Sequence, residues 1–219
     1  MSVIIVGAGG HGKVVRDILQ HDAAIKVTGF IDDDRMTHGK TVDGLPVLGG
    51  IKDLQCLIPK HRIEAGIVAI GDNKTREAMY LRLKNLGLKI INAIHPGAII
   101  AKHVEFGEGV VVASGAKINT GTKIGSNVII NTGVIIDHEN IIEDHVHISP
   151  GVKLSGNVTI GKYSHIGIGV TIVSRITIGQ NVTVGGGAVV LDDMPDNTIA
   201  VGVPAKVIKN KEKHTAGRH

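Results

Sequence analysis

A large apolar residue recurs every six positions through the second half of the chain. Neither an α-helix, with its period of 3.6, nor a half-buried strand, with its period of two, accounts for a spacing of six. The sixteen members, which follow one another without an insertion, are Ile100, Phe106, Val112, Ile118, Ile124, Ile130, Ile136, Ile142, Ile148, Leu154, Ile160, Ile166, Ile172, Ile178, Val184 and Val190. The repeat predicts a parallel β-helix of triangular cross-section, in which three six-residue sides form one coil around these residues.

The first part of the chain has a different pattern. Residues 1–92 alternate short apolar runs with helical segments, which is typical of a Rossmann-like α/β domain. The segment Lys74–Leu86 predicts a helix with Asn73 as its N-cap and Gly87 after its end. The sequence therefore predicts an α/β domain over 1–94, an all-β helix over 95–205 and a basic tail over 206–219.

The charge and composition exclude several classes of protein. The net charge of +4 is carried by the tail, and only 2% of the residues are aromatic, which argues against nucleic-acid binding. No stretch approaches the roughly 18 apolar residues of a membrane span, so no membrane insertion is expected. The N-terminus has the pattern of a first strand and not that of a signal peptide. A single cysteine, Cys56, rules out an intrachain disulfide and favours the cytoplasm.

The predicted coil length brings distant residues together. If three sides of six residues make one coil, residues eighteen apart stack in a column. The stacked pairs that result are His138 with Gly156, His147 with His165, and Ile168 with Gly186.

His138 is the histidine best placed for chemistry. It follows the core residue Ile136 by two positions and should point outward, and Glu139 stands next to it. A histidine is the natural general base at neutral pH, and a neighbouring carboxylate can fix its tautomer. Gly156 above it would leave room and an uncovered N–H. The alternative interpretation is that His138 is an exposed surface residue with no catalytic role.

A glycine-rich loop follows the first strand. The segment Gly7–Gly12 matches G-x-G-x-x-G, and the acidic pair Asp32-Asp33 lies near the end of the next strand. Glycines at the start of a helix allow a pyrophosphate to approach the free N–H groups. A dinucleotide such as NAD, a UDP-sugar and a purely structural turn all remain compatible with this motif.

Six segments, taken together and in order, resemble one family. They are GAGGHG at 7–12, DD at 32–33, GDN at 71–73, IDHENIIEDHVHISPGVKLSGNVTIG at 136–161, GGGAVV at 185–190 and VGVPAK at 201–206. The family is that of the hexapeptide-repeat sugar acetyltransferases, which includes the bacillosamine-pathway UDP-amino-sugar N-acetyltransferase and the sialic acid O-acetyltransferases. The resemblance implies a left-handed β-helix, a homotrimer, acetyl-CoA as cosubstrate and no metal.

The same resemblance implies roles for individual residues. His138 would be the catalytic base of a direct acetyl transfer, Glu139 its partner, and Asn131 a group that could orient the acceptor. The residues implied to contact acetyl-CoA are His147, Gly156, Ile168 and Gly186. Those implied to hold the nucleotide-sugar are Gly9, Gly10, His11, Asp32, Asp33 and Gly71.

The resemblance predicts N-acetylation of a UDP-4-amino-4,6-dideoxy sugar for surface or extracellular glycan synthesis. O-acetylation of sialic acid or a related sugar is an alternative, and a non-catalytic or NAD-binding module is another. A zinc enzyme of the γ-carbonic anhydrase type is disfavoured, because its two ligand histidines stand five residues apart. No such pair occurs among His138, His145, His147 and His165.

Overall fold

The computed structural model describes residues 1–211, and its N-terminal part is a six-stranded sheet covered by helices. The strands are β1 (Ser2–Val6), β2 (Lys26–Ile31), β3 (Thr41–Val42), β4 (Leu45–Gly49), β5 (Ala65–Val68) and β6 (Lys89–Ile90). The helices are α1 (Gly10–Leu19), α2 (Leu54–His61) and α3 (Asn73–Asn85), with short 3-10 turns at Arg35–Thr37 and Ile51–Asp53. The order across the sheet is β3-β4-β2-β1-β5-β6, and all neighbours are parallel except β3 and β4. This confirms the predicted α/β domain.

Alternate side chains of β1 enter two separate cores, as the period of two requires. Val3 and Ile5 pack with α1 in one core, whereas Ile4 and Val6 pack with α2 and α3 in the other. Burial on both faces explains why β1 is a continuous apolar run, as is usual for parallel sheets.

Helix α3 begins one residue earlier than the sequence pattern indicates. Its N-cap is Asp72, whose carboxylate accepts a hydrogen bond from Thr75 N at 2.9 Å. The prediction of Asn73 as the N-cap is therefore wrong, and the Asn73 side chain has another partner described below. Gly87 follows the helix with a φ of +76°, where glycine is favoured, as predicted.

From Ala93 onward the chain forms a parallel β-helix with three faces. The first face contains β7 (Ala93–Ile94), β10 (Val111–Val112), β13 (Ile129–Ile130), β16 (His147–Ile148), β19 (His165–Ile166), β22 (Thr183–Val184), β24 (Thr198–Val201) and β25 (Lys206–Asn210). The second face contains β8 (Ile99–Ile100), β11 (Lys117–Ile118), β14 (Ile135–Ile136), β17 (Lys153–Leu154), β20 (Thr171–Ile172) and β23 (Val189–Val190). The third face contains β9 (Glu105–Phe106), β12 (Lys123–Ile124), β15 (Ile141–Ile142), β18 (Thr159–Ile160) and β21 (Thr177–Ile178).

The register confirms the predicted coil of eighteen residues. Ile129 pairs with His147, His147 with His165, and His165 with Thr183. Of the sixteen repeating apolar residues, all are buried except Ile100 and Phe106, which are half-buried in the first coil.

Three rows of turns form the edges of the prism, and they are named here by the faces that they join. The first edge joins the first and second faces and includes residues 131–134, 149–152, 167–170 and 185–188. The second edge joins the second and third faces and includes residues 119–122, 137–140, 155–158 and 173–176. The third edge joins the third and first faces and includes residues 125–128, 143–146, 161–164 and 179–182.

The predicted boundaries need two corrections. The β-helix begins with β7, two residues before the predicted boundary at 95, because β7 already pairs with β10. The start of the predicted tail is the exposed strand β25, which pairs with β24 in an antiparallel ladder. Residues 212–219 of that tail lie outside the described residues. Within residues 1–211, no helix has the length and apolar character needed to cross a bilayer.

Candidate active site

His138 lies on the second edge and points away from the core. Its side chain is 50% exposed, and its Nδ1 lies 3.3 Å from Glu139 Oε2. Glu139 has a φ of +57°, a left-handed conformation in which the turn brings its carboxylate back to the preceding residue. When Nδ1–H donates to this carboxylate, Nε2 carries the free lone pair and becomes the basic nitrogen.

Gly156 lies directly above His138, as the column spacing predicts. A Cβ atom on Gly156 would stand 2.5 Å from Cε1 and 2.6 Å from Nε2 of the imidazole, so a side chain there would displace the ring. Among residues 1–211, the Gly156 N–H has no acceptor within hydrogen-bonding distance. Gly156 is itself buried beside the His138 ring. The second edge therefore combines a base and an N–H donor without an acceptor among the described residues, which is the pair that acyl transfer needs.

Asp137 holds the turn that carries His138. Its Oδ1 accepts hydrogen bonds from the His138 N–H at 2.9 Å and from Asn119 Nδ2 at 2.8 Å. These two bonds, with that from Asn119 the stronger, lower the pKa of the Asp137 carboxyl. Asp137 is consequently ionised at neutral pH. Its carboxylate accepts hydrogen bonds from the turn, whereas the carboxylate of Glu139 faces the imidazole.

His147 lies on the first face, where the α/β domain covers the β-helix. Its Nδ1 lies 3.1 Å from Gly71 O, and its ring centroid is 4.6 Å from that of His165. Burial, and secondarily the charge of His165, lowers the pKa of His147 to about 3. Its Nε2 is buried and has no hydrogen-bond partner among the described residues. His147 and Gly71, predicted for different ligands, are thus in contact.

Ile168 and Gly186 meet on the first edge. A Cβ on Gly186 would lie 3.0 Å from Ile168 Cγ2, and the Ile168 side chain is 64% exposed. Asn131 lies on the same edge, three coils below the turn that contains Gly186. The structure therefore divides the residues predicted for acetyl-CoA between two edges and one face of a single chain. The four histidines of the zinc alternative are likewise not gathered within one chain, because His138 lies on the second edge, His145 on the third edge, and His147 and His165 on the first face.

The glycines of the first loop have two different roles. Gly7 has a φ of +110°, and a Cβ there would collide with Ala69 O. A Cβ on Gly12 would collide with Gly7 O, so both glycines are needed for the turn itself. A Cβ on Gly9 or Gly10 would meet nothing within 4 Å. Gly9 is also the N-cap of α1 and offers no side-chain oxygen to the first turn. The open part of the loop is thus the helix N-terminus, where a pyrophosphate would bind.

His11 follows this open part of the loop. Burial, and then the charge of Arg76, lowers the pKa of His11 to about 4. Its Nε2 is buried and, like that of His147, lacks a hydrogen-bond partner among residues 1–211.

A cavity of about 250 Å³ opens beside the loop. The residues that line it include Gly7, Ile31, Asp32, Asp33, Ile70 and Thr75. Asp32 uses both carboxylate oxygens within the protein, since Oδ2 accepts from Ala8 N and Oδ1 from Asp34 N. Within residues 1–211, Asp33 accepts only from Ile51 N through Oδ1, so its second oxygen has no partner there. Asp33 is consequently the more available of the two predicted acidic residues.

The two buried histidines predict a loss of stability in mild acid. The folded-state pKa values of about 4 for His11 and about 3 for His147 lie below the ordinary histidine pKa of about 6.5. Their contribution is complete above pH about 6.5 and is lost as the pH falls from there toward the folded values. Between pH 6 and 4, each histidine should add up to about 1.4 kcal/mol per pH unit to the slope of the unfolding free energy. Urea unfolding at several pH values measures this slope.

The matched variants are His11→Gln, His147→Gln and the exposed control His21→Gln. The first two should each flatten the slope, whereas the control should keep the slope of the unaltered protein. Equal slopes in all four proteins would contradict the assignment of buried, neutral imidazoles.

Two buried polar residues beside the site are not evident from the sequence motifs. Arg76 of α3 is fully buried between the α/β domain and the third edge. It donates to Asn127 O at 3.0 Å and to His145 O at 2.8 Å, and Asn73 Nδ2 beside it donates to Tyr163 O at 2.7 Å. The sequence signal that could have indicated this contact is the presence of two large residues, His145 and Tyr163, at turn positions of the third edge where small residues are usual. The other is Asn140, a polar residue at a core position.

Comparison with known proteins places this geometry in a family. The model of the PglD N-terminal domain matches residues 2–83. PerB from Caulobacter crescentus, solved with CoA and GDP-perosamine, is 36% identical with a TM-score of 0.90, over 95% of this chain and 98% of that one. The acetyltransferase domain of PglB from Neisseria gonorrhoeae, solved with acetyl coenzyme A, is 37% identical with a TM-score of 0.86, over 94% and 98%.

The curated relatives give a shorter match. UDP-N-acetylbacillosamine N-acetyltransferase from Bacillus subtilis is 36% identical over 114 residues, which are 51% of this chain and 50% of that protein. The match thus spans half the length of this curated relative, whereas the similarity to the solved structures covers nearly the whole chain. The chain therefore belongs to the family of nucleotide-sugar N-acetyltransferases that join a PglD-type N-terminal domain to a left-handed hexapeptide-repeat β-helix.

Proposed function

We propose that this protein transfers the acetyl group of acetyl-CoA to the amine of a nucleotide-linked 4-amino-4,6-dideoxy sugar. The observation that carries the proposal is the pairing, on one edge, of the outward His138 with the N–H of Gly156, which has no acceptor among the described residues. The two relatives that bind CoA or acetyl-CoA over the same fold support the cosubstrate, and the one with GDP-perosamine supports an amino-sugar acceptor. The product would serve surface or extracellular glycan synthesis.

The proposed reaction is a direct transfer in which His138 is the general base. The sugar amine attacks the thioester carbonyl, and Nε2 of His138 takes the proton that the amine loses as the N–C bond forms. The Gly156 N–H donates to the oxygen that becomes negative. When the C–S bond breaks, the CoA thiolate leaves and receives the proton from His138. Glu139 stabilises the imidazolium between these two steps.

The proposed nucleotide site is the open loop of the α/β domain. The first-turn N–H groups after Gly9 and Gly10 would hold the pyrophosphate, because the helix N-terminus favours anions. His11 and Gly71 would lie beside the sugar, and Asp33 would contribute a carboxylate to the nucleoside end of the cavity. The NAD-binding alternative uses the same loop but leaves the His138 and Gly156 pair without a purpose.

A homotrimer is part of this proposal. Within one chain, the nucleotide loop belongs to the domain on the first face and third edge, whereas His138 lies on the second edge. Ile168 and Gly186 lie on yet another edge, so a complete site requires edges from neighbouring chains. Ile135 and Ile141, which flank the His138 turn on the second and third faces, are 38% and 46% exposed, as expected for residues covered by another chain.

Light scattering should therefore give a particle of three chains. A monomer with full turnover would contradict the shared site. A cytoplasmic location also belongs to the proposal and is supported by the single, exposed Cys56, which needs no oxidising compartment.

The function is tested by acetyl-CoA turnover with a panel of acceptors. UDP- and GDP-linked 4-amino-4,6-dideoxy sugars are compared with free sialic acid, and CoA release is measured with a thiol reagent. We expect CoA release and an amide product with at least one nucleotide-linked amino sugar, and none with sialic acid. Turnover with sialic acid alone would support the O-acetyltransferase alternative, and binding of NAD without any turnover would support the NAD-binding module.

A further inference from the structure

The interior of the β-helix contains a polar residue beneath the His138 turn. Asn140 occupies the position at which neighbouring repeats have Val134, Val146 and Val152, and it is fully buried. A buried amide is costly unless it is hydrogen-bonded, so its partners indicate why it is there. Directly below it in the same column lies Thr122, which is also fully buried.

The Asn140 side chain bonds to two successive coils. Its Nδ2 donates to Asp137 O at 2.6 Å and to His138 O at 3.3 Å, within its own turn. Its Oδ1 accepts from Val158 N at 3.0 Å, in the turn that contains Gly156. One amide group thus connects the backbone that carries the proposed base with the backbone that carries the proposed oxyanion donor.

The turns of the first edge are stabilised by a different hydrogen bond from the turn that contains Gly156. There, the corresponding N–H groups of Val152 and Val170 bond within their own turns, to Ser149 O and Gly167 O. Val158 N instead bonds down to Asn140, so the position of the Gly156 turn depends on a side chain of the coil below. Thr122 adds a bond from Oγ1 to Asp137 O at 3.1 Å, which fixes the lower turn from beneath.

We infer that Asn140 is a positioning residue that holds the His138 turn and the Gly156 turn at a fixed separation. This inference rests on the proposed function, since it assigns Asn140 to the geometry of that reaction. Asn140 touches neither substrate, and it acts through the backbone of the two turns. A displacement of about 1 Å between a base and an oxyanion donor is enough to reduce kcat about a hundredfold.

The test uses two substitutions of Asn140 and one matched control. Asn140→Val, which restores the residue type of the repeat, removes all three bonds. Asn140→Thr keeps an oxygen that can accept from Val158 N, as Thr122 does for Asn140 N, but loses the two bonds to its own turn. Ser164→Val is the control, because Ser164 is a buried polar residue at the equivalent position of the third edge. There it bonds to Gly179 O and accepts from Val182 N.

Asn140→Val should lower kcat about tenfold to a hundredfold while KM for each substrate changes less than about threefold. Asn140→Thr should have an intermediate kcat, and Ser164→Val should stay within about twofold of the unaltered protein. Circular dichroism and thermal melting of all proteins identify any variant that has not folded. If Asn140→Val does not fold, the kcat of Asn140→Thr is compared with that of the unaltered protein instead.

Two results would overturn the inference. One is a kcat within twofold of the unaltered protein for a folded Asn140 variant, and the other is an equal loss for Ser164→Val. Both are distinct from a failure of the proposed function, in which the unaltered protein itself would release no CoA with any acceptor of the panel.

Discussion

Replacement of His138 by asparagine is expected to lower kcat for acetyl transfer by about 10²–10⁴-fold, the usual contribution of a general base. Asparagine keeps a polar side chain in the space beside Gly156 but has no nitrogen that can accept the proton of the amine. Because the His138 side chain is 50% exposed, the substitution should leave folding and assembly unchanged. Steady-state CoA release with the nucleotide-linked amino sugar measures the effect, and light scattering measures the assembly.

The chain offers a close control for this substitution. His103 lies on the same edge, in the column of Glu139 and two coils below it, and it is exposed. It has a φ of +63°, which asparagine tolerates well, so His103→Asn makes the same chemical change without backbone strain. The control should retain full turnover. A His138→Asn protein with unchanged kcat would eliminate His138 as the base, and a comparable loss in His103→Asn would indicate a general effect of the edge.

The β-helix could be predicted in detail because each coil repeats the same interior. The six-residue spacing alone places Ile136 inside and His138 outside. Because three sides of six residues make one coil, Gly156 then lies directly above His138. Both statements depend only on counting, since an uninterrupted repeat leaves no freedom in the register. A Cβ at Gly156 would collide with the imidazole, which is the physical reason why the position is a glycine.

The relation between the two domains could not be predicted in this way. The contact of His147 with Gly71, and the burial of the outward residues Val111 and Ile129 on the first face, depend on where the α/β domain lies on the prism. The periodicity of the sequence contains no information about where one domain packs on the other. The same is true of Asn140, which interrupts the apolar pattern visibly, but whose partners are backbone atoms that a sequence does not distinguish.

Replacement of Arg76 by methionine is expected to lower the free energy of unfolding by about 3–5 kcal/mol, because several buried oxygens lose their hydrogen-bond donor at once. Arg76 is fully buried, and burial lowers its pKa only to about 10, so it remains charged at neutral pH. Its guanidinium bonds carbonyl oxygens on both sides of the boundary, including those of Gly71, Asn127 and His145. Methionine fills similar space but leaves these oxygens without donors, each at a cost of about 1–3 kcal/mol.

The chain also provides its own probe of this contact. Its two tyrosines, Tyr80 and Tyr163, lie at the junction of α3 with the third edge, and both rings contact the ring of His145. Tyrosine emission therefore reports on the docking of the two domains, whereas circular dichroism reports mainly on the strands and helices. In Arg76→Met the emission should change at lower urea concentration than the circular dichroism. The exposed Arg82→Met on the same helix should leave both transitions in place, within about 0.5 kcal/mol. Coincident and unshifted transitions in Arg76→Met would show that the domains stay docked without this side chain.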